Sequence, residues 1–204
     1  DKTLAGVTFS NCAFQGTSFL ARSIIDCKFE NCSFSKGTCD EVLKFSSCKV
    51  SETIFESCRL DSASFASCDM SRLKINGCLL IGCFFDKSSF VRNVSRDVVI
   101  SEFQILQSNL VSINLSKVAL SHVDAYATRF EACNFSNSDL NRANLGRCSF
   151  EACQFDGANL AFASIRGANF NQSDLSGIQD WYRAKVSEDE GKSSLLRALG
   201  FLVS

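Results

Sequence analysis

Residues 130–175 read FEACNFSNSDLNRANLGRCSFEACQFDGANLAFASIRGANFNQSDL, and every fifth residue is large and apolar: Phe130, Phe135, Leu140, Leu145, Phe150 and onward to Leu175. The same phase runs back to Phe45, and 25 of the 27 positions on it are Phe, Leu, Ile, Val or Met. A phase offset by one covers the start of the chain, from Leu4 through Phe9, Phe14, Phe19, Ile24 and Phe29 to Phe34. Helices repeat every 3.6 residues and strands every two, so neither element produces a period of five.

Two residues before each of these centres the side chain is small. Eleven of the 12 cysteines occupy that slot, and only Cys39 does not. Between slot and centre the later repeats carry Asn or Asp, as at Asn134, Asp139, Asn144, Asn159 and Asp174. Proline is absent from all 204 residues, which suits a chain that is continuously β-paired, because proline removes a ladder donor.

This motif resembles that of the pentapeptide-repeat family, over residues 4–175. The resemblance implies an all-β fold, a right-handed quadrilateral β-helix with four repeats to a coil and the centre and slot pointing inward. Residues four repeats apart then stack at a strand spacing of ~4.8 Å, in columns such as Phe45, Phe65, Phe85 and Ile105, and roughly nine coils make a rod about 40 Å long. Each coil buries little alone and is stabilised by its neighbours. The domain division expected is a β-solenoid over 1–178 and a C-terminal helical cap and dimerisation segment over 179–204.

Two stretches interrupt the pattern. Phe34 and Phe45 are 11 positions apart, which reads as one residue more than two repeats, inserted within Ser35 to Lys44 as a bulge or small loop. In RNVSRDVV, residues 92–99, polar residues enter inward positions while the phase is kept, so that face is expected to be distorted and not lengthened. After Leu175 the period fails at Asp180. Ser187 followed by Glu188, Asp189 and Glu190 predicts a helix start, with Leu195, Leu196 and Leu199 on one stripe and Gly200 as its cap.

That ending, Ser194 to Val203, is similar to the close of the topoisomerase-protecting branch of the family, the Qnr- and MfpA-type proteins. The resemblance implies a DNA-mimic-like protein that binds DNA gyrase or topoisomerase IV and protects it from quinolones or peptide toxins. Contact residues expected on that basis are Asp40 and Glu41 in the inserted segment, then Glu131 above Glu151. A homodimer is expected through Leu195, Leu196, Leu199, Phe201 and Leu202, because this tail is too apolar to stay uncovered.

Composition argues against simple mimicry. Lys and Arg total 21 against 22 for Asp and Glu, a net charge of −1 that gives neither a basic nucleic-acid surface nor a strongly acidic one. Phe84, Leu106 and Tyr126 are expected to stack near the outside, as either an apolar contact patch or a lapse in the repeat. His122 is the only histidine and no nucleophile is aimed at it, so no catalytic residue, cofactor or metal ligand is assigned. The cysteines recur at multiples of five and not in C-x-x-C pairs, which points to packed, reduced thiols in a cytoplasmic protein, although pairs such as Cys48 with Cys68, Cys58 with Cys78 and Cys133 with Cys153 fall within disulfide reach. No direct nucleic-acid or membrane binding is expected. The alternative function is a structural or targeting interaction module, as in a secreted effector or a lumenal repeat protein.

Overall fold

In the computed structural model the five-residue period closes into square coils whose sides are three-residue strands or single bridges, each paired in parallel with the next coil. The structure describes residues 3–15, 18–20, 23–35, 43–93, 99–100 and 102–186. They fall into two compact units, 1–104 and 105–204.

The first unit has four columns of centres. One contains Leu4, Ile24, Val50, Met70 and Phe90. The strands Thr8–Ser10, Lys28–Glu30, Ile54–Glu56 and Lys74–Asn76 stack Phe9, Phe29, Phe55 and Ile75. A third column holds Phe14, Phe34, Leu60 and Leu80, and the fourth Phe19, Phe45, Phe65 and Phe85. Phenylalanines within a column lie face to face, as in Phe29 on Phe55 at 4.8 Å and 7°, and those of adjacent columns meet edge-on, as in Phe29 against Phe34 at 65°. Alternating stacked and edge-on rings satisfy the aromatic quadrupole while filling a square cross-section.

The second unit repeats this plan. Phe130, Phe150 and Phe170 continue the column of Leu110, with Phe150 held between the other two at 5.1 and 4.9 Å. Beside it run Leu115, Phe135, Phe155 and Leu175, then Leu120, Leu140 and Leu160, then Ala125, Leu145 and Ile165. All these centres are buried. The second residue after the centre takes a left-handed conformation, as at Ser57, Asn137, Arg142 and Phe162, which turns the chain through each corner.

Three registers differ from the sequence reading. Phe9 pairs with Phe29, four repeats on, but Phe29 pairs with Phe55, Phe19 with Phe45 and Phe34 with Leu60, each six positions further than four repeats would reach. Between Ser35 and Leu43 the chain therefore carries six residues beyond what one repeat needs, not one beyond two. Residues 36–42 lie outside the described residues. The second interruption lengthens the coil after all. The Gln104 N–H donates to the Leu73 carbonyl, a step ten positions longer than the corresponding bond from Lys74 to Thr53. Ten residues have left the coil, and part of them forms an antiparallel pair of Arg92–Asn93 with Val99–Ile100. Two whole repeats leave the phase intact, which is why the sequence alone showed polar residues at 92–99 but no added length. As a result Gln104 follows Lys74 on the second face and not Phe84 on the fourth, so the expected run from Phe85 to Ile105 at one constant step does not hold.

The coil also continues beyond Leu175. Asp139 bridges Asn159 at the regular four-repeat step, whereas Asn159 bridges Asp180 and Ser164 bridges Lys185 one position further. One inserted residue moves the centre from Asp180 to Trp181, whose carbonyl accepts the turn bond from Ala184. The expected helix and the segment Leu195, Leu196, Leu199, Phe201, Leu202 lie outside the described residues. Among the described residues there is no helix, and none long and apolar enough to cross a membrane.

Candidate partner-contact surfaces

The slot residue determines how each corner is bonded. In much of the second unit the slot N–H closes its own turn by donating to the centre carbonyl three residues back, as Ala143 does to Leu140, Ala158 to Phe155 and Ala163 to Leu160. The Asn or Asp before the centre adds a second bond, its Oδ1 accepting from the N–H two residues on: Asn134 from Ser136, Asn159 from Ala161, Asp174 from Ser176. This is the Asx-turn geometry that makes those residue types the natural choice there.

Cysteine slots of the first unit work differently. The Cys58 N–H donates to the Cys78 Sγ of the next coil at 3.3 Å, and the Cys78 thiol faces the Phe55 and Asn76 carbonyls. Cys32 and Cys58 likewise direct their thiols at Phe9 and Phe29 carbonyls of the preceding coil. Cys12, Cys32, Cys58 and Cys78 thus form one column of free thiols, in which the sulfurs of Cys32, Cys58 and Cys78 bridge backbone groups of successive coils. The expected neighbours Cys58 and Cys78 are in contact, as a hydrogen bond and not a disulfide. Burial pushes the Cys83 and Cys148 thiols up to about 12 and Cys68 to about 11. Cys58 is held protonated by its hydrogen bond with Cys78 and then by burial, and Cys133 by Cys153 in the same way. Thiols of this kind are poor nucleophiles and poor metal ligands. Among the described residues no group of three or more His, Cys, Asp or Glu side chains is placed to hold a metal.

Charged side chains point outward from the positions flanking each centre. Glu131 and Glu151 are paired in register on adjacent strands, as expected, but one guanidinium spans them: Arg129 Nη2 is 3.2 Å from Glu131 and 2.7 Å from Glu151. The arrangement recurs in the first unit. Lys28 Nζ bridges Glu30 and Glu56, and Arg72 bridges Glu52 and Glu102. Glu30 is held below the ordinary carboxylate range by Lys28 and then by Ser10, and Lys28 is raised by Glu30 and Glu56. Each carboxylate pair is therefore half-compensated in place, one cation to two acids. Asp40 and Glu41, the first choice from sequence, lie outside the described residues.

A different surface escaped the sequence reading. Arg142, Arg147, Arg166, Arg183 and Lys185 are exposed on the second unit, and none forms an ion pair among the described residues. Their columns are visible only after the corner positions are assigned, because in the sequence they occur as scattered single charges.

Comparisons with known proteins agree with this architecture. Residues 113–151 and 138–177 match the model of the family described as pentapeptide repeats, in eight copies. No curated protein matches the chain by sequence. Among solved structures, a trypsin-treated form of QnrB1, a plasmid-mediated fluoroquinolone resistance protein, superimposes with a TM-score of 0.69 at 22% identity, over 99% of this chain and 97% of that one. HetL, a pentapeptide-repeat protein involved in heterocyst differentiation regulation from the cyanobacterium Nostoc sp. strain PCC 7120, gives 0.55 at 18% identity, over 90% and 84%. Residues 113–177 are pentapeptide repeats by the family model, and the chain has the quadrilateral β-helix fold of the pentapeptide-repeat proteins.

Proposed function

We propose that this chain is a non-catalytic recognition protein that binds a type II topoisomerase, DNA gyrase or topoisomerase IV, and protects it from quinolones or peptide toxins. The observation that carries the reading is the pair of insertions in the first unit, six residues between Ser35 and Leu43 and ten before Gln104, set into an otherwise regular coil. Sequence added to a repeat without changing its core serves contact more readily than folding. The fold likeness to a fluoroquinolone resistance protein over nearly the full length of both chains supports the same reading.

The carboxylate ladder gives weak support to phosphate mimicry, since Arg129, Lys28 and Arg72 each offset one of the two negative charges they bridge. Recognition is instead assigned to the inserted segments, with Asp40 and Glu41 as the first contacts and Glu131 and Glu151 as secondary ones. The reading includes a cytoplasmic location and a homodimer through Leu195, Leu196, Leu199, Phe201 and Leu202. Light scattering on a chain ending at Val186 tests the dimer, which requires the mass to halve.

The test of function is a gyrase supercoiling and DNA-cleavage assay with a quinolone, with and without the purified protein. Protection is expected, and deleting Cys39 to Glu41 removes it without moving the melting temperature. Absence of protection against several gyrase poisons overturns the reading in favour of a structural interaction module.

A further inference from the structure

The outer surface of the second unit over Ala125, Leu145 and Ile165 is bounded by two corner columns that combine cations with aromatic rings. On one corner, Arg142, Phe162 and Arg183 occupy equivalent left-handed positions in successive coils, with φ of 58°, 59° and 54°. The Arg142 guanidinium lies 5.4 Å from the Phe162 ring centre, Tyr182 packs edge-on against Phe162 at 5.4 Å and 83°, and Arg183 lies 5.2 Å from the Tyr182 ring. On the other corner the Tyr126 ring rests on the backbone of Gly146, where an added Cβ would sit 3.3 Å from the ring, and Arg147 stands 5.9 Å from its centre. Arg166 follows in the next coil, and Lys185 lies between the corners, opposite Ser164.

The carboxylates nearest these corners, Asp124 on this face and Asp180 on the adjacent one, are turned toward neighbouring amide groups. Asp124 Oδ1 accepts from Asn144 Nδ2 at 2.8 Å and from the Tyr126 N–H, and Asp180 Oδ1 accepts from the Tyr182 N–H at 2.7 Å. Among the described residues none of the five cations forms an ion pair, in contrast to the cations that bridge the three acid pairs elsewhere.

We propose that this surface docks a protein partner through an acidic patch of Asp and Glu side chains. A guanidinium held over a ring keeps its N–H fork directed outward and loses little freedom when a carboxylate binds it in bidentate fashion. Tyrosine and arginine are also the side chains that concentrate binding energy at protein interfaces. A single-stranded nucleic acid is disfavoured, because such ligands follow a basic groove, whereas these columns sit on the outer corners of a coil, and a net charge of −1 exerts no general attraction on a polyanion. The partner surface is thus of the same sign as DNA, opposite to what a DNA mimic would seek. This goes beyond the topoisomerase reading and does not depend on it.

The test uses the full-length protein with poly-L-glutamate and oligo(dT) matched in charge, measured by fluorescence anisotropy at low and high salt. Poly-L-glutamate is expected to bind the more tightly and to be released by salt. The triple substitution Arg142→Glu, Arg147→Glu, Arg166→Glu is expected to weaken it by roughly tenfold or more. Tyr126→Ala with Tyr182→Ala, which leaves the charge unchanged, weakens it several-fold with the melting temperature preserved. Tighter binding of oligo(dT), no binding of poly-L-glutamate, or binding unaffected by the charge reversal each overturns the proposal. So does binding that appears only in a chain ending at Val186, which would mean that the protein's own Glu188–Glu190 run occupies the surface. No topoisomerase is present, so these outcomes are separable from failure of the protection assay.

Discussion

The two units stack their centres on the same plan but differ in how most of their corners are bonded, self-closed turns such as Leu73 to Met70 being the minority in the first. In most of the second unit the corners are self-contained, as where Ala143, Ala158 and Ala163 close their own turns and Asn134, Asn159 and Asp174 add Asx bonds, while Cys153 and Ser108 donate to the Ser173 and Thr128 hydroxyls of the next coil. In the first unit a slot N–H such as that of Cys58 relies on the sulfur of the next coil. A corner that depends on its neighbour ties successive coils together, while a self-closed corner leaves the coil free to carry a small slot and a decorated surface. This difference teaches why the chain is rich in cysteine while the cysteines among the described residues are free thiols. The thiol is small enough for the slot and still both donates and accepts.

The largest effect should be the one the units share. Phe135→Ala and Phe34→Ala remove fully buried rings with stacked neighbours on their column, and each should destabilise by ~3 to 5 kcal/mol. Phe162→Ala, at a partly exposed corner, should cost clearly less. Thermal melts of the three variants decide this, and equal melting temperatures would falsify the register.

The comparison between corners is sharpened by Cys78→Ala, which strands the buried Cys58 N–H and should cost ~1 to 3 kcal/mol. Cys148→Ala should cost less, because the Thr128 N–H in the coil before it already bonds to Ala125. Cys78→Ser should recover part of the loss. If Cys78→Ala and Cys148→Ala melt together, borrowed and self-closed corners do not differ in energy.

Alkali probes the same thiols collectively. Unfolded cysteines ionise near ~8.5, while folded Cys68 holds its proton to about 11 and Cys83 and Cys148 to about 12. Because the folded pKa values are the higher ones, their contribution is complete below ~8.5 and is lost as pH rises through about 11 to 12. Melts in reductant across that window should show falling stability, and hydrogen exchange should show the cysteine-rich first unit opening before the second. A flat profile would mean that the thiols titrate as though exposed.

The smallest effect belongs to the surface clamp. Arg129→Gln frees Glu131 and Glu151 on a half-exposed face and should shift stability by no more than about 1 kcal/mol. Its use is functional: if these two acids contact the partner, protection should change when they are released, and an unchanged protection titration removes them from the contact.

Periodicity alone determined which side chains face inward. A period of five at 25 of 27 positions leaves no other fold in which Phe135, Phe150 and Phe155 are buried together while Phe162 turns outward, because inward orientation is a local property of the repeat. What the sequence could not fix was the length of each coil. Insertions are visible only modulo five, so six extra residues before Leu43 look like one and ten before Gln104 look like none; only the ladder partners, Phe29 on Phe55 and Gln104 on Leu73, count them. The same limit hid the charges. Glu131 and Glu151 were legible as a stacked pair, but that Arg129 bridges them, and that Arg142, Phe162 and Arg183 share one column while Arg147 stands by Tyr126 on the other, depends on corner geometry and on where the coil lengthens by a residue before Trp181. Inward packing is written residue by residue in the repeat, whereas register and surface neighbours arise between coils, from pairing across four or more repeats that no local pattern records.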